Sequence, residues 1–487
     1  MRALAAVRRA PRAMWGCAAV AVASGWIWSV TTPTLEVPDE LQHVAYTKYF
    51  AETGHLPRRG ASPPESRPGA PPFELSLVLE GIPMLAQGAP IWDPAQSRAL
   101  RRQLDGRVRR VEEFNAGNAA NNPPAYYVVE AIPYRVTRSA NLLNRILAMR
   151  LFSALLAGLT TALCFLFVRE LMPGMPWAWT VGALAVALQP VFGFMSGGVN
   201  PDGLVWVAAA ALALALARIF RRGLTWRRVL AVAAALALGL ATKGAMLGLI
   251  PGTAVGLAFA AWRLGGPTPR RAAVTAAVAA AALAIPVAGW FTFTEHTLHT
   301  ETNPTAATGS VSAIHGVNIR KEVNYVWQFW LPRLPFQNDQ FSTYPVWTIY
   351  FQGFVGRFGA FFFDFPHWVD WLALVIALGV LGLAGRVLWL RRAWLRPRLP
   401  ELLTYLALAA GLAILTNIAG YQFREREQMG FEQTRYLFPL LPLYAALVAV
   451  AVRGAGRLRR HMAVGLVCLF VAHEVFSVLL TISHFYA

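Results

Sequence analysis

Two adjacent carboxylates and a histidine stand close together in Val37-Pro38-Asp39-Glu40-Leu41-Gln42-His43, just past the end of the first long apolar run. Ionisable groups beside hydrocarbon are costly and ordinarily face a cavity or a partner. A carboxylate at a helix start could serve as a general base, taking the proton of a hydroxyl as a new bond forms. Asp39 and Glu40 would also complement the positive end of a helix dipole, or cap it. Both readings stand on the residues alone. For His43 the plainer reading is a histidine solvated at the membrane interface.

Four more polar stretches interrupt the apolar sequence. In Asn200-Pro201-Asp202, Asp202 either sits at a helix start with Pro early in the first turn or supplies a second acid that holds a metal or a sugar. Lysine occurs only at 48, 243 and 321. Lys243, in Thr242-Lys243-Gly244, could snorkel to the interface or bind a phosphate as a point charge. Its rarity and its place between two apolar segments favour the phosphate. In Gln433-Thr434-Arg435-Tyr436, Arg435 could grip a phosphate bidentately, or Arg435 and Tyr436 could anchor a span end. Glu295-His296-x-x-His299-x-Glu301 offers zinc-ligand types without metal-site spacing, and solvated loop residues account for it. A divalent cation is an open question.

The elements that must position these residues are membrane helices. The chain of 487 residues is 56% hydrophobic and 14% charged, against about a quarter charged in soluble domains. Repeated apolar runs predict an all-α polytopic membrane protein, a single integral membrane domain over 1–487. Eleven spans are expected, at about 13–31, 146–168, 177–196, 201–217, 229–242, 245–262, 272–291, 369–388, 400–421, 436–452 and 461–483. A first long extracytoplasmic loop, 33–144, carries an amphipathic helix near 39–53, a Pro-rich patch from Arg58 to Pro72, and an interfacial helix near 124–136 that is too short to span. A second, 292–368, is rich in aromatics. Cys17, Cys164 and Cys468 each lie in an apolar run, which suggests neither a disulfide framework nor a cysteine metal site.

The net charge of +19 comes from arginine. Arg2, Arg8, Arg9 and Arg12 precede the first span, which we read as uncleaved. Arginines from 218 to 228, 263 to 271, 386 to 398 and 453 to 460 fall in alternate connections, with Glu170 and Glu401 the acids among them. The alternation places the N-terminus in the cytoplasm and both long loops outside. The basic charge is thus an orientation signal, not a nucleic-acid surface.

The order of motifs resembles the C-type (GT-C) membrane glycosyltransferases. Pro38-Asp39-Glu40-x-x-His43 is similar to their acidic first-loop motif and to the Asp-Glu-x-His-Phe version of protein O-mannosyltransferases, with one extra residue before the histidine. Asn122-Pro123-Pro124-Ala125-Tyr126-Tyr127 resembles their Pro-Pro-Leu-Tyr-Tyr element. Thr242-Lys243-Gly244 and Arg435-Tyr436-Leu437-Phe438-Pro439 resemble elements of lipid A aminoarabinose transferases. Pro-Asp-Glu together with Phe358-Gly359 looks closest to a bacterial GT-C-like family of unknown function. The resemblance implies transfer of a sugar from a polyprenyl-phosphate donor to a glycan, lipid or protein acceptor of the cell envelope. Asp39 or Glu40 would act as base, and His43, Asp202, Lys243, Arg435 and Tyr436 would bind substrate. The competing classes are a transporter or flippase of lipid-linked saccharides, against which no inverted repeat is visible, and a non-catalytic envelope-assembly protein of the same fold.

Overall fold

The structure is a computed structural model that describes residues 11–57, 74, 75, 78, 93–105, 116–264, 268–297, 318–359, 362–427 and 430–486. Arg2, Arg8, Arg9, the patch 58–72, His299 and Glu301 lie outside the described residues. With no water in a bilayer core, backbone groups must be satisfied within each segment, and helices do this. In chain order they are α1 (Arg12–Thr31), α2 (Glu40–Thr53), α3 (Pro94–Leu104), α4 (Ala125–Val136), α5 (Leu142–Leu171), α6 (Pro176–Ala187), α7 (Pro190–Ser196) and α8 (Asp202–Arg222). There follow α9 (Trp226–Leu240), α10 (Ile250–Leu264), α11 (Pro269–His296), α12 (Ile319–Trp330), α13 (His367–Leu390), α14 (Leu399–Glu427), α15 (Leu441–Gly454) and α16 (Arg459–Tyr486). Short 3-10 turns, Gly244–Leu249 and Thr434–Leu440, lead into α10 and α15. Among the described residues one two-residue β pair, Arg357–Phe358 with Phe363–Asp364, interrupts the helices.

Nine helical runs among the described residues are long and apolar enough to cross a membrane. A tenth forms if α6 and α7 count as one span; they bend by 60°, where Pro190 cannot continue the α6 ladder. The expected span at 229–242 is the exception to the eleven. It is α9, of 15 residues, which at 1.5 Å per residue covers only about 22 Å, against roughly 30 Å of hydrocarbon. α9 still joins the two ends of the bundle. At its start Arg228 Nη1 donates to the carbonyls of Arg222 and Gly223, and just past its end the carbonyl of Ala241 accepts from Ala125 N at 3.0 Å.

α1 packs along α5, α5 along α8, and α8 along α9. A Cβ on Gly25 would lie 2.8 Å from Ala154 Cβ, so only glycine allows α1 this close to α5, as small residues do in membrane interfaces. α4, with 12 residues, is too short to span, as expected. α2 differs from a surface-lying amphipathic helix: Glu40 through Lys48 include seven buried positions. Its polar side is covered by a network in which Lys48 pairs with Glu52 at 3.0 Å and Arg145 with Glu74 at 2.8 Å.

α8 separates the polar residues into two groups. At one end Arg222 meets Glu170 and Arg221 meets Glu401, the two acids expected among the arginines. At the other end Asp202 meets the Asp39 region. Cysteines placed one at a time at Asp93 and Arg227, both exposed, in a chain whose exposed Cys468 is replaced by serine, should react with a membrane-impermeant maleimide from opposite faces of sealed vesicles. Labelling of both from the same face would overturn the arrangement.

Candidate functional site

The Pro38-Asp39-Glu40 turn is held by Glu40. Its carboxylate accepts Arg150 Nε at 2.7 Å and Nη2 at 2.5 Å, and the backbone N–H groups of Leu35 at 2.9 Å and Val199 at 3.0 Å. Arg150 uses its remaining protons on the carbonyls of Ser29, Thr32 and Pro33, at the end of α1. Both side chains are buried. Glu40 therefore has no open face toward a substrate. Glu40, read from the sequence as the alternative base to Asp39, serves here to anchor the turn.

Leu35 (φ 71°) and Asp39 (φ 63°) are the two non-glycine residues with left-handed backbone among those described. For a residue with a Cβ this conformation costs about 1–2 kcal/mol and persists where surroundings impose it. Here the Glu40 anchor and a close approach impose it: a Cβ on Gly198 would lie 2.6 Å from Val37 Cγ1. Asp39 occupies the cap position of α2, yet its side chain makes no cap bond. Its carboxylate is paired with Arg435 Nη2.

Arg435 links this acid to another. Its Nε lies 3.7 Å from Asp202 Oδ2, and Lys243 Nζ lies 2.7 Å from Asp202 Oδ1. Asp202 does not cap α8 with its own side chain. Asn200 does the local work: its Oδ1 accepts from Asp202 N at 2.9 Å, and its Nδ2 donates to the Pro38 carbonyl at 3.1 Å. Asp202 is thereby left to the cations. Tyr436 spreads its ring under both, with Lys243 Nζ 5.4 Å and Arg435 Cζ 5.2 Å from the centroid, and stacks on Phe431. The starts of α2 and α8 and of the runs beginning at Gly244 and Thr434 converge here, so the positive ends of their dipoles add to the two cations.

Asp39 is the member open to water: 46% of its side chain is accessible, while the side chains of Asp202, Lys243 and Arg435 are buried. Crowding by protein would raise its pKa, but the Arg435 guanidinium, with Lys243 behind it, brings it down to about 2. His43 is buried, not solvated as expected. Burial lowers its pKa to about 3, against the pull of Asp39, so the ring is neutral. Asn122 Nδ2 donates to Tyr127 Oη at 3.1 Å, leaving the Tyr127 hydroxyl to donate to His43 Nδ1 at 3.0 Å. The His43 proton is then on Nε2. Tyr46 stacks on Tyr127 with centroids 3.5 Å apart. The Asn122-to-Tyr127 stretch thus holds the histidine.

The fold brings together Asp39, His43, Asp202, Lys243, Arg435 and Tyr436. It leaves Glu295 and His296 apart and exposed at the end of α11. No group of three metal-ligating side chains forms among the described residues. An apolar groove of about 830 Å³ runs along α9 from Trp226 to Ala241, walled by α11 from Val278 to Phe293, with Pro123 and Pro124 completing its lining. Ala241 is two residues from Lys243.

A family described as a predicted membrane protein family (DUF2142) matches residues 22–444. The chain belongs to this family. Every residue of the cluster lies within the matched stretch of this DUF2142 chain. No curated protein matches its sequence. Among solved structures it is similar to ArnT from Cupriavidus metallidurans, solved in the apo state (TM-score 0.46, 13% identity, 94% of this chain and 74% of that one). The same protein bound to undecaprenyl phosphate gives a TM-score of 0.46 and 14% identity, over 96% and 75% of the two chains. The Archaeoglobus fulgidus oligosaccharyltransferase gives a TM-score of 0.46 and 12% identity over 97% of this chain, which spans 56% of that protein. Likeness at this level is loose, so the site's own geometry has to carry the function.

Arg150 is the residue of this DUF2142 chain that the sequence reading passed over. An arginine inside an apolar run is a signal in itself, because such a charge requires an internal partner. Arg150→Met should leave Glu40 buried without its counter-ion, costing about 3–5 kcal/mol and lowering the melting temperature sharply. Asp39→Asn, at an open position whose backbone suits asparagine, should lose clearly less, because Asp202 still faces Arg435.

His43 also makes a pH prediction. The folded chain keeps it neutral down to about 3, whereas an unfolded histidine binds a proton below about 6.5. Its contribution to stability is complete above that value and falls as pH drops toward the folded pKa, by up to about 1.4 kcal/mol per pH unit. His43→Gln should remove that part of the slope between pH 6 and 4. An unchanged slope would show that His43 titrates normally.

Proposed function

We propose that this protein is a glycosyltransferase that moves a sugar from a polyprenyl-phosphate donor to a hydroxyl of a cell-envelope acceptor. The observation that carries the reading is the convergence of Lys243 and Arg435, distant in sequence, beside the one solvent-open carboxylate of the cluster. Two buried cations at the meeting of several helix starts make a strong anion site. Asp202 lies between them and keeps them together in the resting protein. The apolar groove along α9 would take the prenyl chain, with its end at Ala241 bringing the lipid phosphate toward Lys243.

In the reaction the acceptor oxygen attacks the anomeric carbon on the face opposite the phosphate, which inverts that carbon. The acceptor O–C bond forms as the C–O bond to phosphate breaks. The hydroxyl proton passes to the Asp39 carboxylate, and the bond electrons leave with the phosphate as a polyprenyl phosphate monoester. Lys243 and Arg435 stabilise the charge that grows on the leaving oxygen, the role of preorganised donors in other transfer reactions. Tyr436 fixes both cations from below, and neutral His43 offers Nε2–H as a hydrogen-bond donor. In this reading the site end of the bundle faces the cell exterior, as the arginine alternation requires.

The test is binding and turnover in nanodiscs. Lys243→Ala and Arg435→Ala should each weaken undecaprenyl phosphate at least about tenfold, a loss of roughly 1.4 kcal/mol or more. Asp39→Asn should bind lipid at least as tightly as wild type and lose about 10²- to 10⁴-fold in transfer, the usual contribution of a general base. Unchanged lipid affinity in both cation variants would remove the donor site and the reading with it.

A further inference from the structure

The cluster is balanced as it stands. Lys243 and Arg435 face Asp39 and Asp202, and His43, Tyr127 and Tyr436 are the remaining titratable groups around Asp39. His43 is neutral, so two positive charges meet two negative ones. An incoming phosphate would leave the site with excess negative charge in a largely buried setting, which is costly unless one carboxylate gives way. The two carboxylates are not equivalent. Asp202 is buried, held through its backbone by Asn200, and touches both cations. Asp39 is open to water, makes no cap bond, and sits on a left-handed residue.

We propose that Asp39 and the donor phosphate compete for Arg435, so that phosphate binding displaces the Asp39 carboxylate and unmasks it as a base. This rests on the donor reading above. It also specifies the donor's charge. With Asp39 turned out to water, Lys243, Arg435 and Asp202 leave one positive charge, which a phosphodiester monoanion neutralises and a diphosphate exceeds. In the resting state Asp39 is held too acidic to accept a proton readily. Released from Arg435, it returns toward the ordinary carboxylate range near 3.9, better matched to its task. The contact is thus self-inhibitory, and the donor itself relieves it. Asp202 is a positioning residue that keeps the two cations together throughout.

The test compares full-length wild type and Asp39→Asn in nanodiscs, with undecaprenyl phosphate and with inorganic phosphate as probes. Removing the competing charge should tighten both by about 5- to 150-fold, the range of a typical coupling between sites. In the Arg435→Ala background the gain should vanish. Tightening of inorganic phosphate, with no lipid binding by either protein, would keep the exchange and overturn the polyprenyl donor. Lipid binding by wild type that Asp39→Asn leaves unchanged or weakens would overturn the exchange and keep the donor. Binding of neither probe to either protein would overturn both. If Asp39→Asn does not fold, wild type still decides. Carbodiimide modification of Asp39, followed by mass spectrometry, should rise when phosphate is bound, and constancy or protection would overturn the exchange.

Discussion

The pair Arg150–Glu40 is the interaction on which the site depends. A buried guanidinium and a buried carboxylate are each expensive in a membrane protein, and the cost is offset only where every proton and lone pair finds a partner. Here they do. Glu40 binds two backbone N–H groups from different parts of the chain, and Arg150 binds three carbonyls at the end of α1. One ion pair therefore ties α1, α5, the turn before α2 and the turn before α8 to a common point. The left-handed backbone at Asp39 follows from that constraint. So does the separation of roles between neighbours: Glu40 faces inward and is satisfied, while Asp39 faces outward and is open.

The same logic shapes the cation pair. Two like charges repel, and a bundle gains nothing by bringing them together without an anion. Asp202 is that anion in the resting protein. Asn200 Oδ1 accepts from the Asp202 backbone N–H, while the Asp202 carboxylate is left to the cations. One carboxylate shared by two cations leaves a positive charge between them, and Asp39 balances it in the resting protein.

Geometry at the other scale is set by the bilayer. α9 is short, and α6 and α7 are bent at Pro190. The break at Pro190 matters less here than it would in contact with lipid, because Pro190 through Ser196 are all buried by neighbouring helices. The groove between α9 and α11 is the reverse case, an apolar face that the protein leaves uncovered.

Hydropathy alone determined that the chain is an all-helical polytopic membrane protein, because runs of apolar residues of that length have no other stable use. Alternating arginine blocks determined that Asp39 and Arg221 fall at opposite ends, because charge resists crossing a membrane. Local spacing also exposed Asp39, Asp202, Lys243 and Arg435 as residues that required a reason. What those residues touch was decided by tertiary structure. No local rule distinguishes an acid that caps a helix from one that pairs with an arginine nearly four hundred residues away, since the short-range geometry is the same. The sequence could not separate Glu40 from Asp39, because a left-handed turn, imposed by contacts from Arg150, Val199 and Gly198, sends the two adjacent side chains in opposite directions. Nor could it place an anion between Lys243 and Arg435, because that anion belongs to a third helix that only packing brings there.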